Sequence, residues 1–249
     1  QAKIVNRRPK LLREIISFIE NLSEDCFNYD LQPKEGIHIQ VTLDDNGEVL
    51  KQEAEFFRKK QEITIFLEDC LKKEKYTKYI SMNKAFDSKK KIHSCSPFCV
   101  AFKIQSIKEI QSSFENYFKT ALEYCEAEEE QKWCKIFGQF CQEHLVEQLK
   151  TLLPKIEKEL QEENKRFAFS PNQYIYVYLG NVALERYQKT HEKYLQKKVF
   201  NKEEYNLHID DEIYGVPDYL SGYGEKKPFL KHHTAIFLLN NRMTGKEAL

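Results

Sequence analysis

Between Gly36 and Val49 the chain spells out a strand and the turn that ends it. Ile37, Ile39, Val41 and Leu43 alternate with His38, Gln40 and Thr42, the period-two pattern of a strand with one apolar face. Asp45-Asn46-Gly47 follows, a sequence that tolerates positive φ, so a hairpin is expected here.

The further strand is legible at Tyr174-Ile175-Tyr176-Val177-Tyr178-Leu179, a β-prone run closed by Gly180-Asn181 and expected to be buried or semi-buried. Other segments read as helices. Leu11, Leu12, Ile15, Ile16, Ile19 and Leu22 fall at helical spacing within residues 9–22. From Ser106 to about Leu149, Ile107, Ile110, Phe114, Tyr117, Phe118, Leu122, Trp133, Phe137, Phe140 and Leu145 suggest two packed helices. The acidic run Glu126 to Glu130 separates them, as a solvated face or inter-helix turn. A further helix is expected from Pro154 to Asn164, and another within 182–198 on Leu184, Tyr187, His191, Tyr194 and Leu195.

The expected class is therefore α+β, predominantly helical with small β-sheet elements. Three regions are expected: an α+β region over 1–104 with the hairpin and a basic stretch, a helical region over 105–165, and a strand-helix-loop region over 166–249. They make one or two domains. Asn206 to Lys231 holds Gly215, Pro217, Gly222, Gly224 and Pro228, a long loop suited to function or an interface. Gln1 in place of an initiator Met, and Leu249 ending a helix-like run without a Gly cap, lead us to expect a fragment of a longer chain.

Charge narrows the possible partners. The 39 basic and 39 acidic side chains cancel, so any anion must be held by local patches and not by a whole-molecule field. No run approaches the roughly 20 apolar residues of a membrane helix. Seven scattered Cys, an odd number, argue for reduced thiols and a cytoplasmic location.

The clearest local patch runs from Leu71 to Ile104. It carries Lys72, Lys73, Lys75, Lys78, Lys84, Lys89, Lys90, Lys91 and Lys103 against only Glu74 and Asp87. Tyr76, Tyr79, Phe86, His93 and Phe98 interleave with these lysines. Such a mixture can hold phosphates while stacking on bases, or it can be a solvated surface with aromatic anchors into the core.

Catalytic and metal-binding patterns are weaker. His93, Cys95 and Cys99 are zinc-ligand types, but no second pair follows at finger spacing. Cys125, Cys134, Cys141 and His144 read better as small residues in a helical core. His208, Asp210, Asp211 and Glu212, with His232 and His233, contain the ligand types of a two-metal phosphodiesterase on loops whose contact the sequence does not establish. No GxxxxGK[ST], GxGxxG or GxSxG motif occurs.

The order of motifs toward the C-terminus is more specific. After the Tyr174 to Leu179 strand come Glu185-Arg186-Tyr187, His191-Glu192-Lys193-Tyr194-Leu195, Phe200-Asn201-Lys202 and Tyr205-Asn206. Gly224-Glu225-Lys226-Lys227-Pro228-Phe229-Leu230-Lys231-His232-His233-Thr234 follows. With Lys90-Lys91-Ile92-His93-Ser94 and Pro97-Phe98 upstream, this order resembles the large subunit of type I-B CRISPR Cascade, the guide-RNA surveillance complex of antiviral defence. The likeness is strongest from Tyr174 onward and thin before Leu71. Cys95 and Cys99 depart from the pattern, standing where an amide and an aliphatic side chain are expected.

The resemblance implies a non-catalytic RNA-binding and DNA-binding subunit at the foot of a ribonucleoprotein complex, with no cofactor. It would help hold the guide RNA, sense the motif flanking target double-stranded DNA, contact other Cascade subunits and admit the CRISPR helicase-nuclease. Family members continue into a helical C-terminal region beyond Arg242-Met243-Thr244-Gly245. It supplies no catalytic residues to carry over, so the candidate nucleic-acid contacts are chosen on chemistry. They are Lys89, Lys90, Lys91 and His93; Lys226, Lys227 and Lys231 in and beside the glycine-rich loop; and Asn241 and Arg242. A metal-dependent nuclease and a protein-interaction scaffold without nucleic-acid contact are the alternatives.

Overall fold

The computed structural model describes residues 34–58, 61–80, 82–200, 206–210, 212–217 and 242–245, together with Arg13, Glu14, Ser17, Phe18, Asn21 and Glu247. The chain divides into two units, Gln1–Gln32 and Pro33–Leu249. In the first, Arg13, Glu14, Ser17 and Phe18 are helical; the apolar residues expected to line that helix lie outside the described residues.

In the second unit the expected hairpin forms from β1 (Gly36–Leu43) and β2 (Val49–Phe57), paired from Gly36↔Phe57 to Leu43↔Val49. Asp44 shapes its turn, with Oδ1 accepting the N–H groups of Asn46 and Glu48, both at 2.8 Å, while Gly47 takes φ 85°. An Asx-type turn and a positive-φ glycine are what Asp-Asp-Asn-Gly is suited to supply.

Beyond the hairpin, the chain runs through α1 (Ile65–Glu74), β3 (Cys99–Lys103), α2 (Ile107–Leu122), α3 (Glu128–Glu143), α4 (Leu145–Glu163), β4 (Tyr174–Leu179) and α5 (Leu184–Lys198). The main sheet has the order β2-β1-β4-β3, with β4 parallel to β1 and antiparallel to β3. A second, three-stranded sheet orders β5 (Leu207–Ile209), β6 (Glu212–Gly215) and β7 (Met243–Thr244), all antiparallel. Thus β5 and β6 occupy the start of the segment expected to be a loop from Asn206.

The fold is α+β, as expected. With five helices and two sheets among the described residues, helices do not clearly dominate it, because the four-stranded sheet carries the core. Ile37, Ile39, Val41 and Leu43 of β1, Val100 and Phe102 of β3, and Ile175, Val177 and Leu179 of β4 are all essentially fully buried. Phe114, Phe118, Phe137 and Phe140 of α2 and α3 join the same core, with the Phe102 and Phe114 rings 6.2 Å apart. Each such side chain contributes about 1.5–3 kcal/mol on burial.

One helix boundary differs from that read in the sequence. The acidic run spans the expected inter-helix turn and the exposed first turn of α3: the buried Glu130 carboxylate accepts the N–H groups of Glu126 (2.9 Å) and Ala127 (3.1 Å), and Glu128 and Glu129 stand in the first turn. Negative charge there complements the helix dipole. The helix expected to begin at Pro154 is the second half of α4, with Pro154 inside it. Proline removes one helical hydrogen bond, but Pro154 and Lys150 are both exposed, so the freed Lys150 carbonyl lies on the outer side. The apolar stripe Leu149, Leu153, Ile156 and Leu160 continues past it on the core side.

Candidate nucleic-acid interface

β3 is the outer strand of the main sheet, and the segment after the lysine cluster lies along it. Ile92 bridges Phe102, and the His93 N–H donates to the Ala101 carbonyl at 2.6 Å. Lys89, Lys90 and Lys91 form the turn leading into this edge. Asp87, 1% exposed, anchors that turn: its carboxylate accepts the N–H groups of Lys89 (2.9 Å), Lys91 (2.7 Å) and Ile92 (3.0 Å). Its carbonyl accepts the Lys90 N–H at 3.0 Å, and Lys90 takes φ 57°.

With the backbone turned inward around Asp87, the lysine side chains face outward. Lys89 and Lys90 are exposed, and Lys90 Nζ donates to Asn83 Oδ1 at 3.2 Å. Lys91 Nζ pairs with Glu109 at 2.6 Å, an exposed contact of little energetic weight that a phosphate can displace.

His93 is half-buried, its ring edge-on to Tyr174 with centroids 5.4 Å apart. Burial, reinforced by the Lys103 cation, pushes its pKa below the usual histidine value, so it acts at neutral pH as a hydrogen-bonding ring and not as a charge. Lys103 Nζ lies 5.9 Å from the centre of the same Tyr174 ring and 3.4 Å from Asn172 Oδ1. The edge thus carries a lysine turn, a histidine, a further lysine and a half-exposed tyrosine, the groups needed to hold phosphate and stack on a base.

Tyr174 continues inward as a ring ladder. Tyr174, Tyr176 and Tyr178 project from the same side of β4, with Tyr176 stacked on Tyr174 at 5.8 Å and on His38 of β1 at 4.8 Å. His38 Nε2 bonds the Lys34 carbonyl at 2.8 Å and Nδ1 bonds Tyr178 OH at 3.2 Å; burial lowers its pKa to about 4. The neighbouring Lys73 Nζ donates to Gln40 at 2.6 Å and Asp69 at 2.5 Å, so α1 lies over this side of the sheet.

The aromatic residues of the basic stretch divide between two roles. Phe86 and Phe98 are 5% and 0% exposed and are core anchors, unable to stack on a base. Tyr76 and Tyr79 are half-buried against the core. Lys103, read in the basic stretch but not among the candidate contacts, and Tyr174, read only as part of a strand, complete the edge. The alternation of three tyrosines with Ile175 and Val177 was the available signal.

The zinc pattern does not assemble. Cys95 and Cys99 are buried; burial pushes the Cys95 thiol up to about 12 and the Cys99 thiol well above its ordinary value. Cys125, Cys134 and Cys141 are buried free thiols in the helical layer. Among the described residues no group of three or more His, Cys, Asp and Glu side chains is placed to hold a metal ion. His208, Asp210 and Glu212 sit exposed on the β5–β6 hairpin, with Asp210 at φ 49° in the turn.

Of the remaining candidates, Arg242 is half-buried immediately before β7. Lys226, Lys227, Lys231 and Asn241, with the whole Gly224 to Thr234 segment and Asp211, lie outside the described residues. Comparison with known protein families, with curated proteins and with solved structures returned no match. No helix among the described residues is long and apolar enough to cross a membrane.

Proposed function

We propose that the chain is part of the non-catalytic large subunit of a type I-B CRISPR Cascade-like complex, helping to hold guide RNA and recognise the motif flanking target DNA. The observation that carries this reading is the basic-aromatic edge of the main sheet, where the Lys89-Lys90-Lys91 turn and His93 flank β3, and Lys103 at the end of β3 pairs with Tyr174 at the start of β4. The order of C-terminal motifs gives the specific assignment, and the edge supplies a surface for its chemistry. The cations fix a phosphate backbone, and Tyr174 offers an aromatic ring to an unpaired base.

A balanced net charge suits a subunit that engages nucleic acid alongside partners more than one that scans it alone. In this reading the cytoplasmic complex also contains other Cascade subunits, and the helicase-nuclease performs the cutting.

The test is co-purification of the chain with neighbouring subunits, followed by sequencing of bound RNA. A guide with repeat-derived ends is expected. A monodisperse monomer free of nucleic acid overturns the reading. Divalent-ion-dependent cleavage lost on Asp210→Ala would favour the nuclease alternative. Unaltered nucleic-acid binding after Lys89, Lys90, Lys91 and Lys103 are all changed to Ala would favour the scaffold.

A further inference from the structure

Two free thiols meet where α2 gives way to α3. Cys125 stands in the connecting turn and Cys134 in the second turn of α3.

The hydrogen bonds of the turn bring them together. Glu130 and Cys134 are four residues apart and both 1% exposed, so they share the buried face of α3. Glu130 draws the turn onto that face through the N–H groups of Glu126 and Ala127, and Gln131 Nε2 donates to the Cys125 carbonyl at 3.3 Å. The Cys134 thiol hydrogen-bonds the Cys125 sulfur; that contact, ahead of burial, holds its pKa well above the ordinary value, so Cys134 keeps its proton. Cys141 cannot take the place of Cys125. It lies seven residues further along α3, about 10 Å along the axis, whereas the Cα atoms of a disulfide are less than about 7 Å apart.

The two sulfurs are not equivalent. Cys125 is 6% exposed and Cys134 1%, so a small oxidant reaches Cys125 first. Helix α5 runs beside the turn, with Lys193 paired to Glu126 and Lys197 Nζ 5.0 Å from the centre of the Tyr124 ring. Lys193 also interacts electrostatically with the Cys125 sulfur, which sets a positive charge beside the atom that must attack.

We infer that Cys125 and Cys134 are a redox modification site, a dithiol that a hydroperoxide converts to a disulfide between the α2–α3 turn and α3. Cys125 Sγ gives up its proton and attacks one peroxide oxygen. The O–O bond breaks, the displaced oxygen leaves as water, and Cys125 becomes a sulfenic acid. Cys134 Sγ then displaces the hydroxyl from that sulfur, so an S–S bond forms, the S–O bond breaks, and a second water carries off the Cys134 proton. The two sulfurs are oxidised by two electrons together, and the peroxide is reduced by the same two. The bond fastens to α3 the turn that carries Glu126, the residue with which Lys189 and Lys193 of α5 pair.

The test treats the reduced full chain with a few equivalents of hydrogen peroxide, alkylates the remaining thiols with iodoacetamide in guanidinium, and digests with trypsin without reductant. Cleavage after Lys119, Lys132 and Lys135 places Cys125 and Cys134 on separate peptides, so their link is read directly by mass. The expected result is a linked pair two hydrogens lighter than the sum of its peptides, unchanged circular dichroism, and recovery of both thiols with dithiothreitol. Cys70 and Cys95 should still carry the alkyl group, since burial pushes both up to about 12. In Cys134→Ser, dimedone should trap the sulfenic acid on Cys125; in Cys125→Ser, Cys134 should stay reduced.

Full alkylation of Cys125 and Cys134 after peroxide overturns the site, as does a link from either one to a different cysteine. A link that forms only in guanidinium, or dimedone on Cys134 in Cys125→Ser, overturns it too. The wild-type peptide map decides the matter even where a serine variant fails to fold.

Discussion

The side chain of Asn181 makes two hydrogen bonds to the backbone of Leu43: its Oδ1 accepts the Leu43 N–H and its Nδ2 donates to the Leu43 carbonyl, both at 2.7 Å. An amide side chain thereby takes the place of one more residue of the parallel β1–β4 ladder, at the point where Gly180 turns the chain away. Asn181→Ala strips both partners from a part-buried peptide group and should cost about 1–3 kcal/mol, read as a lower denaturant midpoint at constant slope. A midpoint equal to wild type would show that water replaces the amide without loss.

At the other end of the same ladder, Gly36 takes φ 152°, and a Cβ there would overlap the Tyr174 carbonyl oxygen. Strain and overlap with backbone both oppose a side chain, so Gly36→Ala should destabilise by at least about 1–3 kcal/mol. Weaker binding at the β3 edge is expected only where the fold itself is lost, which circular dichroism and anisotropy on the same samples will separate.

Lys91 and Lys103 should matter for phosphate and little for folding. Changing both to Ala is expected to shift stability by less than about 0.5 kcal/mol. It should flatten the log–log salt dependence of RNA binding by about one unit for each phosphate no longer neutralised. An unchanged slope would remove these lysines from the interface.

His38 makes stability depend on pH. Its folded pKa of about 4 lies below the ordinary histidine value near 6.5, so the unfolded chain takes up the proton first. The stabilisation is complete above about pH 6.5, declines as pH falls, and levels off below about pH 4. Its full extent is on the order of 3 kcal/mol. His93 and His191, whose pKa values are also lowered by burial, act in the same direction. Denaturation midpoints of wild type and His38→Asn across pH 4–8 should converge toward the acid end; parallel curves would count against this account.

The Cys70 and Cys95 thiols should be inert while the protein is folded. Cys70 and Cys95 are both pushed up to about 12 by burial, which leaves almost no thiolate at pH 8. Iodoacetamide is expected to label them only after guanidinium is added. Rapid labelling of Cys95 in the native state, or one zinc bound per chain and lost in Cys95→Ser, would restore the metal reading.

What could be read from the sequence follows the range of the interactions. The hairpin was visible because alternation and Asp-Asn-Gly are local, and the boundaries of β4 were visible because glycine and asparagine end its β-branched and aromatic run. The helix through Pro154 was not visible, since tolerance of that proline depends on which side of α4 faces water. Nor was the division of the basic stretch. Phe98 and His93 look alike as aromatic residues among lysines, yet one is fully buried and the other borders solvent. Only the pairing of β3 with β4, a contact between distant segments, decides which is which.

The parallel pairing of β1 with β4 also sets an order of events during synthesis. The hairpin can close as soon as Phe57 has emerged, but the inner edge of β1 has no partner until Tyr174 to Leu179 follow. Until then Ile37, Ile39 and Val41 belong to an open, apolar, unpaired edge, and closing so long a loop is slow. The nascent chain is therefore most vulnerable to intermolecular strand pairing while α2, α3 and α4 are being made. A ribosome stalled within α4 would hold a sheet with two strands in place and its central partner still missing.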